Sequence, residues 1–173
     1  LRVILLFLGS TAARQGDPQE ADFYYTEALR QDPYYARARL GQALMVFDQA
    51  RDDCSAGSVD AKGLDNAIAG YKEARDFPSS PTEEIPTKTA FYLGQAYLCQ
   101  ALAGNVERWD MAQEQLLRVV ERYQTNNDFR VKYLAAEAWF HLGILYSKRS
   151  ENLEGNRDEL ARGEEAFQQA IEL

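Results

Sequence analysis

The sequence predicts an all-α fold in which antiparallel helix pairs stack in chain order, and three observations predict it. The first is the run Trp139-Phe140-His141-Leu142-Gly143-Ile144-Leu145-Tyr146. On a helix of 3.6 residues per turn, Trp139, Leu142, Gly143 and Tyr146 share one side, at i, i+3, i+4 and i+7. Large side chains fill an interface there, and the glycine leaves room for a neighbouring backbone. The second is the recurrence of small residues along the chain, each followed further on by a small residue four positions before an aromatic or large apolar one. The third is the placing of the five prolines, Pro18, Pro33, Pro78, Pro81 and Pro86, at the starts of helical stretches or between them.

Taken in order, eight helices are expected, at about 1–15, 18–31, 34–50, 62–76, 86–103, 107–124, 129–149 and 156–172. In the first, Val3 to Leu8 is apolar all round, so burial on more than one side is expected. That run also resembles the apolar core of a signal peptide followed by the small residues Ser10 to Ala13, although it is far too short to span a bilayer. The chain starts at Leu1 without Met and the run keeps the register of the later copies, so a packed helix is the reading adopted. Asp17-Pro18 opens the second helix with an N-cap followed by proline at the first helical position. Arg51 to Lys62, with Gly57 and Ser58, reads as a loop, and so does Ser150 to Asn156, with Gly155. Arg75 to Pro86 carries three prolines that no helix interior tolerates, which makes it the expected hinge between the two halves. Thr125 to Asp128 separates the last two pairs.

Composition narrows the function. At 173 residues with 46% apolar content, the chain can bury a core, and 27% charged residues argue against disorder. A formal charge of −8 and a pI near 4.8, with no dense basic stripe, speak against a nucleic-acid binder. The acid reads as solvated helix faces. Cys54 and Cys99 form no C-x-x-C, and a reducing cytoplasm leaves them free thiols; a periplasmic or other location is the alternative.

The copies can be counted. The first reads Leu5, Leu8-Gly9 and Ala12, then Ala21-x-x-x-Tyr25, Ala28 and Asp32-Pro33. The second has Ala43 in the Gly9 position, 34 residues on, with Val46, Ala67-x-x-x-Tyr71 and Ala74. The third has Ala90, Leu93-Gly94 and Tyr97, then Ala112-x-x-x-Leu116 and Val119. The fourth has the Trp139 motif, then Gly163-x-x-x-Phe167 and Ala170. This pattern resembles the tetratricopeptide repeat family over nearly the whole chain. The resemblance implies a single right-handed α-solenoid over 1–173, with repeats at about 2–35, 36–77, 86–124 and 129–173. The departures are in spacing: the offset between the two small positions is 12 in the first copy but 24, 18 and 20 in the next three, so those copies carry longer helices or turns.

Little here could carry chemistry. His141 is the single histidine, and no G-x-S-x-G or comparable context supplies it with a nucleophile. Cys54, Cys99 and His141 lack short metal-ligand spacing, and neither a phosphate loop nor G-x-G-x-x-G is present. Glu83-Glu84 and Glu164-Glu165 are solvated faces, not convergent acid/base pairs. No enzyme activity, cofactor or metal is expected.

The family resemblance instead implies a protein or peptide partner on the concave face lined by the first helices. The inward positions fall at Arg37, Leu40, Leu44, Phe47 and Asp48, then at Lys88, Phe91, Tyr92, Gln95 and Cys99, then at Glu137, Phe140, His141, Ile144 and Lys148. The candidate contact set is Arg37, Leu44, Phe47, Asp48, Lys88, Tyr92, Gln95, Glu137, His141 and Lys148, a mixture of aromatics and both charges. Leu40, Leu44 and Phe91 fit equally well as core between helices. Some members of the family clamp a chaperone's C-terminal carboxylate with lysine, asparagine and arginine. The matching positions are Leu6, Ser10, Gly41, Lys88 and Tyr92, of which Lys88 alone agrees, so that partner is not expected.

Two readings result. The first is a non-enzymatic protein–protein interaction scaffold; the alternative is a regulatory or sensor region of a larger enzyme or signalling protein, with 75–86 as its hinge. Apolar residues at both ends, from Val3 to Leu8 and at Leu160, Phe167 and Ile171, imply either continuation of the array or self-association. The packing argument also places Trp139 in the core, so that Trp139→Ala should cost about 3–5 kcal/mol.

Overall fold

The computed structural model describes residues 1–51, 54, 59–78, 84–126, 129–152 and 156–173. Gly57, Ser58, Pro81, Asn127, Asp128 and Gly155, all expected in loops, lie outside them. Eight α-helices and no strands are found among the described residues: α1 (Arg2–Arg14), α2 (Pro18–Gln31), α3 (Ala36–Ala50), α4 (Ala61–Asp76), α5 (Ile85–Leu102), α6 (Arg108–Asn126), α7 (Phe129–Asn152) and α8 (Arg157–Glu172). The chain divides into two compact units, Leu1–Asp53 with Ser58–Thr89, and Cys54–Gly57 with Ala90–Leu173.

In the first unit the caps follow from the residues. Asp17 accepts from the backbone N–H of Glu20 at 2.9 Å, and Pro18 fills the first helical position of α2. Between α1 and α2, Gly16 adopts φ +78°, a conformation a side chain would oppose. The resulting reversal lays α2 antiparallel along α1, so that Tyr25 lies against Gly9. A Cβ on Gly9 would come within 2.7 Å of the Tyr25 ring, and one on Gly41 of α3 within 2.5 Å of the same ring. One aromatic side chain, 3% exposed, thus holds three helices together. The antiparallel pair α3/α4 closes through Ala43 against Gly70, Ala50 near Gly63, and an Arg39–Glu73 ion pair at 2.9 Å.

The second unit repeats this arrangement. Gly94 of α5 meets Leu116 of α6, and Gly143 of α7 meets Phe167 of α8. Arg149 ties α7 to α6 by bonds to Gln113 (2.9 Å) and Asp110 (3.1 Å). The inner stripe of α7 is Val131, Leu134, Ala135, Ala138, Leu142 and Leu145, all buried at helical spacing.

Trp139 is only half-buried: the stripe centres on Leu142 and Leu145, which places Trp139 one step round the helix at its edge. The full core penalty therefore belongs to Leu142, not to Trp139. The first helix is buried on one side only, through Gly9 and Ala12 with Leu5 and Leu6 partly covered, while Val3, Ile4 and Phe7 are exposed. Ser150, expected in a loop, is buried in the last turns of α7, where its hydroxyl donates to the Asn156 carbonyl at 3.0 Å. Pro86 sits in the first turn of α5, where its missing N–H has no helical partner to lose.

The cysteines, expected free, form a disulfide between Cys54 and Cys99, with Cα atoms 4.8 Å apart. Composition could not reveal it, because the pairing depends on where the segment after α3 runs relative to α5. Among the described residues, no helix is long and apolar enough to cross a membrane.

Three predictions follow from the packing and the crosslink. Leu142→Ala should cost about 2–5 kcal/mol through a core cavity, whereas Lys88→Ala should change stability by no more than about 0.5 kcal/mol. Gly41→Ala should destabilise more than Gly143→Ala, since Tyr25 is enclosed and Phe167 has room to shift; denaturant midpoints with unchanged slopes would check the order. Reducing the bridge, or Cys54→Ser, should lower stability by about 2–4 kcal/mol with little loss of helical circular dichroism, because the crosslink closes a span of 45 residues.

Candidate functional site

The ten expected contact residues divide between the units. In the first, Arg37 and Asp48 are exposed on α3 and Leu44 is half-buried. Asp48 pairs with Arg51 at 3.0 Å. Phe47 is not available to a partner. It is 2% exposed and packs edge-on against Tyr71, with the Arg51 guanidinium over its ring at 5.3 Å. Its register on α3 points it toward α4, and Leu40 is buried in the same way. Lys88, at the start of α5, is partly covered and pairs with Glu84 at 2.9 Å, one turn earlier.

In the second unit the structure brings several of the expected residues together. Gln95 of α5 and His141 of α7 meet through the amide Nε2 and the ring Nε2 at 2.7 Å. With the amide nitrogen donating, the imidazole is neutral and carries its proton on Nδ1; with the ring donating, the amide presents its oxygen instead. Aromatic rings surround this contact. Phe91 and Phe140 each lie 5.8 Å from the His141 ring centroid, Tyr92 stands edge-on to Phe91 at 5.3 Å, and Phe140 reaches Phe167 of α8 at 5.8 Å. Phe91 is buried and forms the floor. Tyr92, Gln95 and His141 are half-buried, and Phe140 is 47% exposed. Exposed Glu137 and Lys148 lie on α7 to either side, with Lys148 paired to Glu151 at 3.0 Å.

Two residues outside the expected set belong to the same strip. Tyr133, 56% exposed, precedes Glu137 by one turn on α7. Following the i, i+4 spacing one step further toward the N-terminus would have found it. Phe167, expected only as core, is the other addition, because its ring supports Phe140.

The strip can supply apolar anchors, an amide, an imidazole and one charge of each sign. Half-buried polar groups among exposed rings suit contact with an extended peptide or a helix. Among the described residues, no group of three or more His, Cys, Asp or Glu could hold a metal ion. The opposite side of α7 behaves differently. Burial pushes the Tyr146 phenol above the usual tyrosine value; Arg162 opposes the shift and Glu159 adds to it.

The class defined so far is an all-helical protein of antiparallel pairs with an aromatic–imidazole strip on the first helices of its second unit. No protein-family profile matches the chain, and no curated protein matches it.

The Tyr146 environment makes a testable statement about pH. The folded state holds this phenolic proton more tightly than the unfolded chain does, so its contribution is intact below the unfolded tyrosine value of about 10 and is lost as pH rises above it. Tyr146→Phe should therefore weaken the alkaline fall in stability while leaving neutral-pH stability within about 1 kcal/mol. Denaturant titrations on either side of that value would measure the difference.

Proposed function

We propose that this chain is a non-enzymatic interaction scaffold whose helix pairs stack as a right-handed α-solenoid of tetratricopeptide type. Its partner is a protein or peptide, held on the first helices of the pairs. The observation that supports this most is the Gln95–His141 contact at 2.7 Å, set among Phe91, Tyr92 and Phe140. A hydrogen bond between two first helices fixes polar groups beside accessible rings, and such prearrangement reduces the ordering cost of binding. The small-to-large meetings of Gly9 with Tyr25, Gly94 with Leu116 and Gly143 with Phe167 support the repeat reading, since they fall at small and large positions of the recurring pattern.

The disulfide bears on location. Such bonds persist in oxidising compartments, so Cys54–Cys99 supports a periplasmic, secreted or lumenal setting over the cytoplasm expected from composition.

To test the binding reading, the oxidised chain is used as bait and the captured partner is then titrated against variants. Tyr92→Ala combined with His141→Ala should weaken binding at least tenfold, about 1.4 kcal/mol, with the thermal midpoint within a few degrees of the parent. Arg118→Ala, on the exposed side of α6, should bind like the parent. Equal affinity for the double variant and the parent would refute this placement of the site.

A further inference from the structure

The exposed large apolar side chains are unevenly placed. On α1, Val3, Ile4 and Phe7 are each at least 60% exposed, and Leu8 lies beside them. The spacing i, i+1, i+4, i+5 makes them one continuous face opposite Gly9 and Ala12, the residues that pack on α2. On α8, Leu160 (47%) and Ile171 (78%) mark a second apolar line, with the partly covered Phe167 between them. An apolar ridge of this kind on a helix surface marks an interaction site.

Charge distinguishes the ways in which two copies could cover these faces. α1 contains Arg2 and Arg14 and no acidic residue. α8 contains Asp158, Glu159, Glu164, Glu165 and Glu172 against Arg157 and Arg162. Docking α1 on α1, or α8 on α8, brings together helices of like sign. Docking α1 on α8 pairs opposite signs beside the apolar contact. Arg2 already pairs with Asp32 and lies over the Tyr35 ring, so Arg14, exposed at the other end of α1, carries the steering charge. On the neighbouring α2, Glu27 is paired with Arg30, which offsets one of the acids that would oppose an acidic helix. The lengths also agree. Thirteen residues of α1 and sixteen of α8 correspond to rods of about 20 and 24 Å, so one can lie along the other.

We propose that α1 of one copy docks along α8 of a second copy, a head-to-tail contact between unlike surfaces. This goes beyond the binding strip on α5 and α7 and does not depend on it.

Sedimentation of the full oxidised chain over about a hundredfold concentration range tests the proposal. The parent should gain mass with concentration, less so at high salt because screening weakens the charged component. Phe7→Glu and Ile171→Glu should each remain monomeric alone. Mixed in equal amounts they should form a one-to-one pair and nothing larger, because each variant retains the face that the other has lost. Where either variant melts early, Ile4→Glu or Leu160→Glu replaces it. A parent that stays monomeric throughout overturns the proposal. So does continued self-association of Ile171→Glu, which would point to α1 on α1, or failure of the well-folded variants to pair.

Discussion

How near one helix backbone comes to its partner's side chain is the constraint on which this molecule depends. At Gly9, Gly94 and Gly143 there is no room for a β-carbon, since a ring or a leucine from the second helix already occupies the space. Close approach brings the small residues Ala21, Ala28, Ala67, Ala74 and Ala112 into full burial, so the seams are built largely from alanine and glycine with a few large side chains between them. Tyr25 extends the same logic from within a pair to the next helix, because Gly41 as well as Gly9 gives way to its ring. Loosening that seam would disturb α1, α2 and α3 together.

Ion pairs play a smaller part. Among the described residues, several join residues three or four apart on the helix surface, including Arg30–Glu27, Lys88–Glu84, Arg118–Glu114 and Lys148–Glu151, and such pairs contribute little in water. Arg39–Glu73 and Arg149–Asp110 differ in kind because they join separate helices. Stability therefore comes mainly from apolar packing.

Much of the packing was legible in the sequence because it follows short-range spacing. The small residue of each first helix and the large residue of each second helix were visible as recurring positions; in space Gly9 meets Tyr25, Gly94 meets Leu116 and Gly143 meets Phe167, so the room expected for a backbone is filled by a side chain. What escaped depends on rotation and on distant partners. Trp139 and Phe47 occupy plausible positions on a helical wheel, but a few tens of degrees of helix rotation decide which of them is covered. His141 and Gln95 are 46 residues apart, and nothing local in either helix announces that they touch. The disulfide was misjudged for the same reason, since it depends on the path of the chain between α3 and α4. The candidate strip was thus half readable: its residue types and spacing were visible, and the Gln95–His141 hydrogen bond was not.

The Cys54–Cys99 crosslink also alters how the polypeptide would carry tension. With a span of 45 residues closed by sulfur, a load applied at the two termini bypasses α4 and the proline-bearing connection after it. That stretch cannot be drawn out, so the oxidised protein reaches its full contour length about 150 Å sooner than the reduced one.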